Sequence, residues 1–171
     1  ILYEDKICII GNGIVIEPKV FLKEIKKLKN KKIKISNLKI SDRAHIIFPY
    51  HKALDELLEE DLGENKLGTT KNGIGPCYMD KARRIGIRIC DLTNKEIFAK
   101  KLKFYLELKN RLLKKLYNHS GFDYEKILKE YLEYGERLKP YVADTITILN
   151  KAIKEKKNIL FEGAQATMLD L

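Results

Sequence analysis

The segment GTTKNGIGPCYMDKARR, Gly68 to Arg84, concentrates residue types that can hold an anion. Thr69 and Thr70 put two hydroxyls between glycines. Glycine lets backbone approach a ligand closely, and free N–H groups with hydroxyls can bond phosphate oxygens. Lys71, Lys81, Arg83 and Arg84 add positive charge, and arginine can meet a phosphate with two parallel N–H bonds. The order G-x-x-x-x-G-K-[ST] is absent, so this is not a Walker A loop. On residue types alone the segment is either an anion-binding loop or a tight turn.

The elements around it must position it. KICIIG (Lys6–Gly11) reads as a strand ended by the turn Gly11-Asn12-Gly13. IVIEP follows, and Pro18 suits the first turn of a helix with Val20, Phe21, Ile25 and Leu28 at helical spacing. AHIIF (Ala44–Phe48) reads as a buried strand, after which Pro49 opens a helix through Ala53, Leu54, Leu57 and Leu58. Pro76 is expected to start a short helix reaching Gly86. IRICDL (Ile87–Leu92) reads as extended. Thr93 with Glu96 forms a capping-box pattern for a helix turned inward by Phe98, Leu102, Tyr105, Leu112 and Leu116. A second helix runs from Asp123 through Ile127, Tyr131 and Leu138. A third follows Pro140 through Val142, Ile146, Leu149 and Ile153. NILFEG (Asn158–Gly163) reads as a buried strand feeding a loop. This alternation is α/β order with a mostly parallel sheet, and 93–157 is expected to be an inserted helical subdomain.

Four segments in order carry a resemblance to a known family. LGTTKNGIGPCYMDKARRIGIRICDL resembles the signature loop of adenylosuccinate synthetases. IIGNGIVIEP is similar to their IxGNGVVxxP strand-turn, HIIFPYHKALD to LIxxYHxxLD, and ILFEGAQATMLDL to xLFEGAQxxxLDxD. The resemblance runs from Ile9 to Leu171. It implies an α/β fold of the P-loop NTPase-related kind. It also implies a purine-biosynthetic ligase that joins IMP to L-aspartate using GTP and Mg²⁺, working as a cytoplasmic homodimer. By the same resemblance, Thr70 matches the threonine that holds the IMP 5′-phosphate. Arg84 matches the arginine that reaches the partner subunit's site, with Arg83 the competitor one register away. Gln165 matches the glutamine beside the purine 6-position, where an amide can both donate and accept. Asn72 and Ile85 depart from the basic residues of many members.

The family's GDEGKGK loop, with its catalytic aspartate, and its Gly-His-Asn/Thr histidine are expected upstream of Ile1. Its guanine-recognition and aspartate-binding loops are expected beyond Leu171. The chain therefore reads as an internal fragment, truncated at both ends. No catalytic or Mg²⁺-binding residue is expected within it, and on its own it is expected to be inactive. A non-catalytic nucleotide-binding homologue is the alternative.

Composition narrows the remaining classes. Hydrophobic residues at 44% and charged residues at 34% describe a globular chain. No apolar run approaches the ~20 residues of a membrane helix, so no membrane partner is expected. The net charge of +10 raises nucleic-acid binding. However, nine lysines against Glu24 in residues 18–39 supply about +8 of it, with no arginine and only Phe21 as an aromatic. Base readout favours arginine and stacking aromatics, so a solvated face is expected and no nucleic-acid partner. Cys8, Cys77 and Cys90 lack metal or redox spacing.

His51 is expected to be structural rather than an acid–base group, and His45 and His119 structural or exposed. Asp55, Glu56, Glu59 and Glu60 read as a solvated helix face. Tyr124, Tyr131 and Tyr134 read as core or interface aromatics. Glu162 either orients the Gln165 loop or caps a turn, and Asp170 is a candidate for ordering the same loop.

Overall fold

The computed structural model describes residues 1–165. Short parallel strands alternate with helices. β1 (Cys8–Ile10), β3 (Leu38–Ser41) and β5 (Val142–Ala143) form one parallel sheet, with Cys8 opposite Leu38 and Ile40 opposite Val142. β2 (Val15–Ile16) and β4 (His45–Ile46) form a second parallel pair. Parallel strands need a crossover, and α1 (Pro18–Asn30) supplies it for β1–β3 and for β2–β4, with Pro18 in its first turn. Its lysines stay exposed while Phe21, Leu22 and Ile25 are buried, so the first five lysines of the basic run form the outer face of an amphipathic helix. Val20, expected inside, is exposed.

α2 (Pro49–Asp61) and α3 (Ile74–Ala82) follow, packed on each other. α3 begins two residues before Pro76 and stops short of Gly86. Next come α4 (Ile89–Leu92), α5 (Lys95–Tyr117), α6 (Tyr124–Leu138) and α7 (Thr145–Lys154). The main core cluster runs from Ile40 and Ile46 through Phe48 and Tyr50 to Phe98, Leu102, Leu113, Tyr131 and Leu138, and Val15, Ile47 and Cys77 form a smaller one. Tyr131 stacks on Phe48 with ring centroids 4.4 Å apart, and its hydroxyl donates to the Ile47 carbonyl. This fixes α6 on the β4–α2 junction. Tyr124 and Tyr134 are half-buried beside it, as core aromatics.

Several expectations are corrected. The extended reading of Ile87–Leu92 fails at Ile89. Asp91 accepts the Arg88 N–H at 2.9 Å, Thr93 Oγ1 donates to the Cys90 carbonyl, and Ile89 and Leu92 bury on one helical face. Thr93 therefore closes α4, and Asn94 caps α5 by accepting from Ile97 N–H. In α5 the buried stripe is Phe98, Leu102, Leu106, Lys109 and Leu113, whereas Leu112 and Leu116 are exposed. The three consecutive helices are interrupted by β5, which joins the sheet beside β3. α7 buries only Thr145, leaving Ile146 and Ile153 outside. The run 158–163 is not a buried strand. Leu160 is 94% exposed and Phe161 73%, because no strand among the described residues pairs with it.

Candidate functional site

The loop between α2 and α3, residues 66–73, is held by the helix that precedes it. Gly68 N–H donates to Glu59 Oε1 at 2.5 Å and Thr69 N–H to the same oxygen at 3.3 Å. Gly73 N–H donates to Asp55 Oδ2 at 2.8 Å. Asp55 and Glu59 are 6% and 5% exposed, which overturns their reading as a solvated face. Glu56 and Glu60 do lie outside, and Glu56 pairs with Lys71 at 3.1 Å. Asp55 and Glu59 follow His51 at intervals of four, so all three share the inward face of α2. That spacing was the available signal, masked by grouping the four acids together.

The result is a loop with its amides sorted. Those of Gly68, Thr69 and Gly73 are committed to α2. Among the described residues, the amides of Thr70, Lys71 and Asn72 and both threonine hydroxyls donate to no other residue. Lys71 adopts φ +55°, a left-handed turn of the kind that lets successive N–H groups converge on an anion. Gly73 has φ +76° and lies directly against the backbone of His51 and Lys52. Only a residue without Cβ fits there.

Beneath the loop lies a buried polar chain. His51 Nδ1 accepts the Phe48 N–H at 3.0 Å, so its Nε2 carries the proton and donates to Asp80 Oδ2 at 3.0 Å. Lys109 Nζ donates to Asp80 Oδ1 at 2.5 Å. Burial pushes the His51 pKa down, against the pull of Asp80, which matches a neutral ring. Burial would raise the Asp80 carboxyl, but hydrogen bonds from His51 and Lys109 hold it below the usual range. The chain ties α2, α3 and α5 together, and His51 is structural as expected. His45 is half-buried, its Nδ1 has no partner among the described residues, and its pKa is driven to about 4 by burial and by Lys81 and Arg88. His119 Nδ1 accepts from Gly121 N–H in the α5–α6 joint. Cys77 is buried against the Ile46 carbonyl.

The chain has the sequence and architecture of a known family over its whole length. The family model described as adenylosuccinate synthetase matches residues 1–171. The chain belongs to the adenylosuccinate synthetase family. It is 78% identical over 171 residues to the adenylosuccinate synthetase of Brachyspira hyodysenteriae, covering all of this chain and 40% of that relative. It is 56% identical to that of Bacillus subtilis, again over all of this chain and 40% of the relative. The fully ligated adenylosuccinate synthetase structure from Plasmodium falciparum superposes with a TM-score of 0.83 at 38% identity, covering 99% of this chain and 39% of that one. The chain thus spans about two fifths of the length of the adenylosuccinate synthetases it matches.

Two of the residues singled out by resemblance, Thr70 and Arg84, lie apart within this chain. Thr70 precedes α3 and Arg84 follows it, off opposite ends of a nine-residue helix, a length of about 13 Å at ~1.5 Å per residue. Lys81 is committed to the carbonyls of Asn12 and Gly13, and Lys71 to Glu56. The Arg83 and Arg84 side chains remain exposed without a partner among the described residues. Arg84 also holds φ +62°, a position after a helix end that favours glycine. Gln165 is exposed, the last described residue, and bonds to none of the others. Glu162 is exposed too, while Asp170 lies outside the described residues.

Proposed function

We propose that the chain is part of a GTP-dependent ligase of purine biosynthesis that forms adenylosuccinate from IMP and L-aspartate, and that it supplies part of the IMP site. The observation that carries this is the Gly68–Gly73 loop. Its outer amides and threonine hydroxyls are undonated while its inner amides are anchored, in a chain 78% identical to an adenylosuccinate synthetase.

Thr70 donates from hydroxyl and amide to the 5′-phosphate of IMP. Arg84, separated from Thr70 by the length of α3, serves the corresponding phosphate of a partner subunit in a homodimer. Its left-handed backbone costs roughly 1–2 kcal/mol, and strain of this kind persists where the surroundings enforce it and function uses it. Gln165 lies beside the 6-position of the base, donating and accepting at the purine edge.

The reaction transfers the γ-phosphoryl group of GTP to the 6-oxygen of IMP, converting a poor leaving group into phosphate. The aspartate amine then takes that position as phosphate leaves. Mg²⁺ belongs to this chemistry, and among the described residues there is no group of three or more candidate ligands for it. No described helix is long and apolar enough to cross a membrane, and a cytoplasmic setting suits a biosynthetic ligase. The span 93–157 is retained as a helical subdomain with β5 threaded through it.

The test is adenylosuccinate formation by the full-length protein, with IMP, GTP and aspartate omitted in turn. Product should require all three. Thr70→Ala and Arg84→Ala should each lower turnover at limiting IMP, and mixing the two variants should restore activity if Arg84 acts across the dimer. Full activity without IMP, or no adenylosuccinate from the complete mixture, contradicts the proposal.

A further inference from the structure

The two buried carboxylates of α2 have no part in the proposal so far, and their geometry gives them one. Asp55 and Glu59 sit one helical turn apart on the inward face of α2, and among the described residues their carboxylates bond only to loop amides. Glu59 takes two successive N–H groups on one oxygen, and Asp55 takes a third at the far end of the loop. Between those anchors lie Thr70, Lys71 and Asn72, exposed and with undonated amides.

A carboxylate near a phosphate site is at first sight misplaced, since like charges repel. Burial and the donated amides resolve this. The negative charge of Glu59 is met by the Gly68 and Thr69 N–H groups, and that of Asp55 by the Gly73 N–H. Lys71, whose charge would favour a phosphate, is itself drawn back onto Glu56. What α2 contributes is geometry. Amides that would otherwise reorient freely are fixed before ligand arrives, so the entropy of ordering the loop is not charged to binding.

We propose that Glu59, with Asp55, is a positioning residue for phosphate recognition: it pins the amides flanking Thr70–Asn72 onto α2 and so presets the Thr70 hydroxyl and amide for the 5′-phosphate. The inference rests on the IMP reading of Thr70 above. It makes Glu59 a determinant of IMP affinity without contact to IMP.

The experiment is steady-state kinetics of the full-length protein with Glu59→Ala, Glu59→Gln and Thr70→Ala, alongside thermal melting. Glu59→Ala should raise the KM for IMP about tenfold or more, with kcat within about twofold and the KM for GTP unchanged. Glu59→Gln keeps an oxygen acceptor for both amides, so it should fold and return the KM for IMP to within about threefold of wild type. A wild-type KM for IMP in Glu59→Ala overturns the inference. So does a parallel rise in the KM for GTP, or a glutamine variant no better than alanine. The Thr70→Ala control separates the two levels. If it raises the KM for IMP while Glu59→Ala does not, only the positioning role fails. If it leaves the KM for IMP unchanged, the phosphate reading of the loop fails and the positioning role with it.

Discussion

Replacing Gly73 by alanine drives a methyl group into the backbone of α2. Gly73 has φ +76°, and a Cβ there would meet Lys52 N at 2.8 Å and the His51 carbonyl carbon and Cβ at 2.9 Å. A left-handed conformation in a non-glycine residue costs roughly 1–2 kcal/mol. Overlap with atoms that cannot swing aside adds about 1–3 kcal/mol, because two of the three are backbone of a packed helix. The Gly73 to Asp55 bond is strained in the same movement, so a total loss of about 2–5 kcal/mol is expected. Gly75, two residues on, is the control. It lies inside α3 with nothing within 4 Å of its Cβ position. Gly75→Ala should be neutral or stabilise by up to about 1 kcal/mol, the helix-propensity gain. The assay is urea unfolding of the full-length variants, with IMP titration at low denaturant. Gly73→Ala should also weaken IMP binding, because Thr70 shifts with the loop. Equal stability of the two variants would refute the close approach of loop and helix.

Other consequences follow from the buried network. Lys109→Met leaves Asp80 with His51 alone, and removing one partner of a buried pair should cost about 3 kcal/mol or more in unfolding free energy. The double change Asp80→Asn with Lys109→Met should cost less than the single one. Acid should destabilise the fold. His51 and His45 have pKa values lowered by burial, that of His45 from 6.5 to about 4. The unfolded chain therefore binds more protons than the folded one below pH 6.5. Their contribution is complete above that pH and is lost as pH falls toward 4, with Asp80 extending the loss at lower pH. Melting temperatures at pH 7, 6 and 5 check the sign, and a flat or rising series would contradict it. Cys77 is buried and its thiol is pushed up to about 12. It should resist iodoacetamide at pH 8 in the folded protein and react once unfolded, as peptide mass spectrometry would read.

Local grammar was legible wherever one residue dictates one conformation. Pro18 and Pro49 open α1 and α2, and Asp123 caps α6 by accepting from Lys126 N–H. The GTT segment was legible as a loop, but its supports were not. The four-residue spacing of Asp55 and Glu59 from His51 marks one face of α2, but that the 66–73 loop folds back over that face is a tertiary event the spacing does not encode. β3 was missed because Lys39 and the surrounding lysines resemble the solvated run before it, although Leu38 and Ile40 are buried between two neighbouring strands. The reverse error occurred at 158–163, where apolar residues imply burial but no described strand takes them. In α5 the inward stripe is ambiguous from sequence because Leu112, Leu113 and Leu116 are all apolar in the last two turns and only Leu113 turns inward.

The central claim is that this loop recognises the 5′-phosphate of IMP. Calorimetric titration of the full-length protein with IMP, wild type beside Thr70→Ala and Arg84→Ala, tests it most directly. Wild type should bind. Each variant should lose about 1.5–3 kcal/mol, the range of a charge-assisted contact, which is roughly a ten- to hundredfold rise in Kd. No binding by wild type, or binding indifferent to both substitutions, would contradict the account.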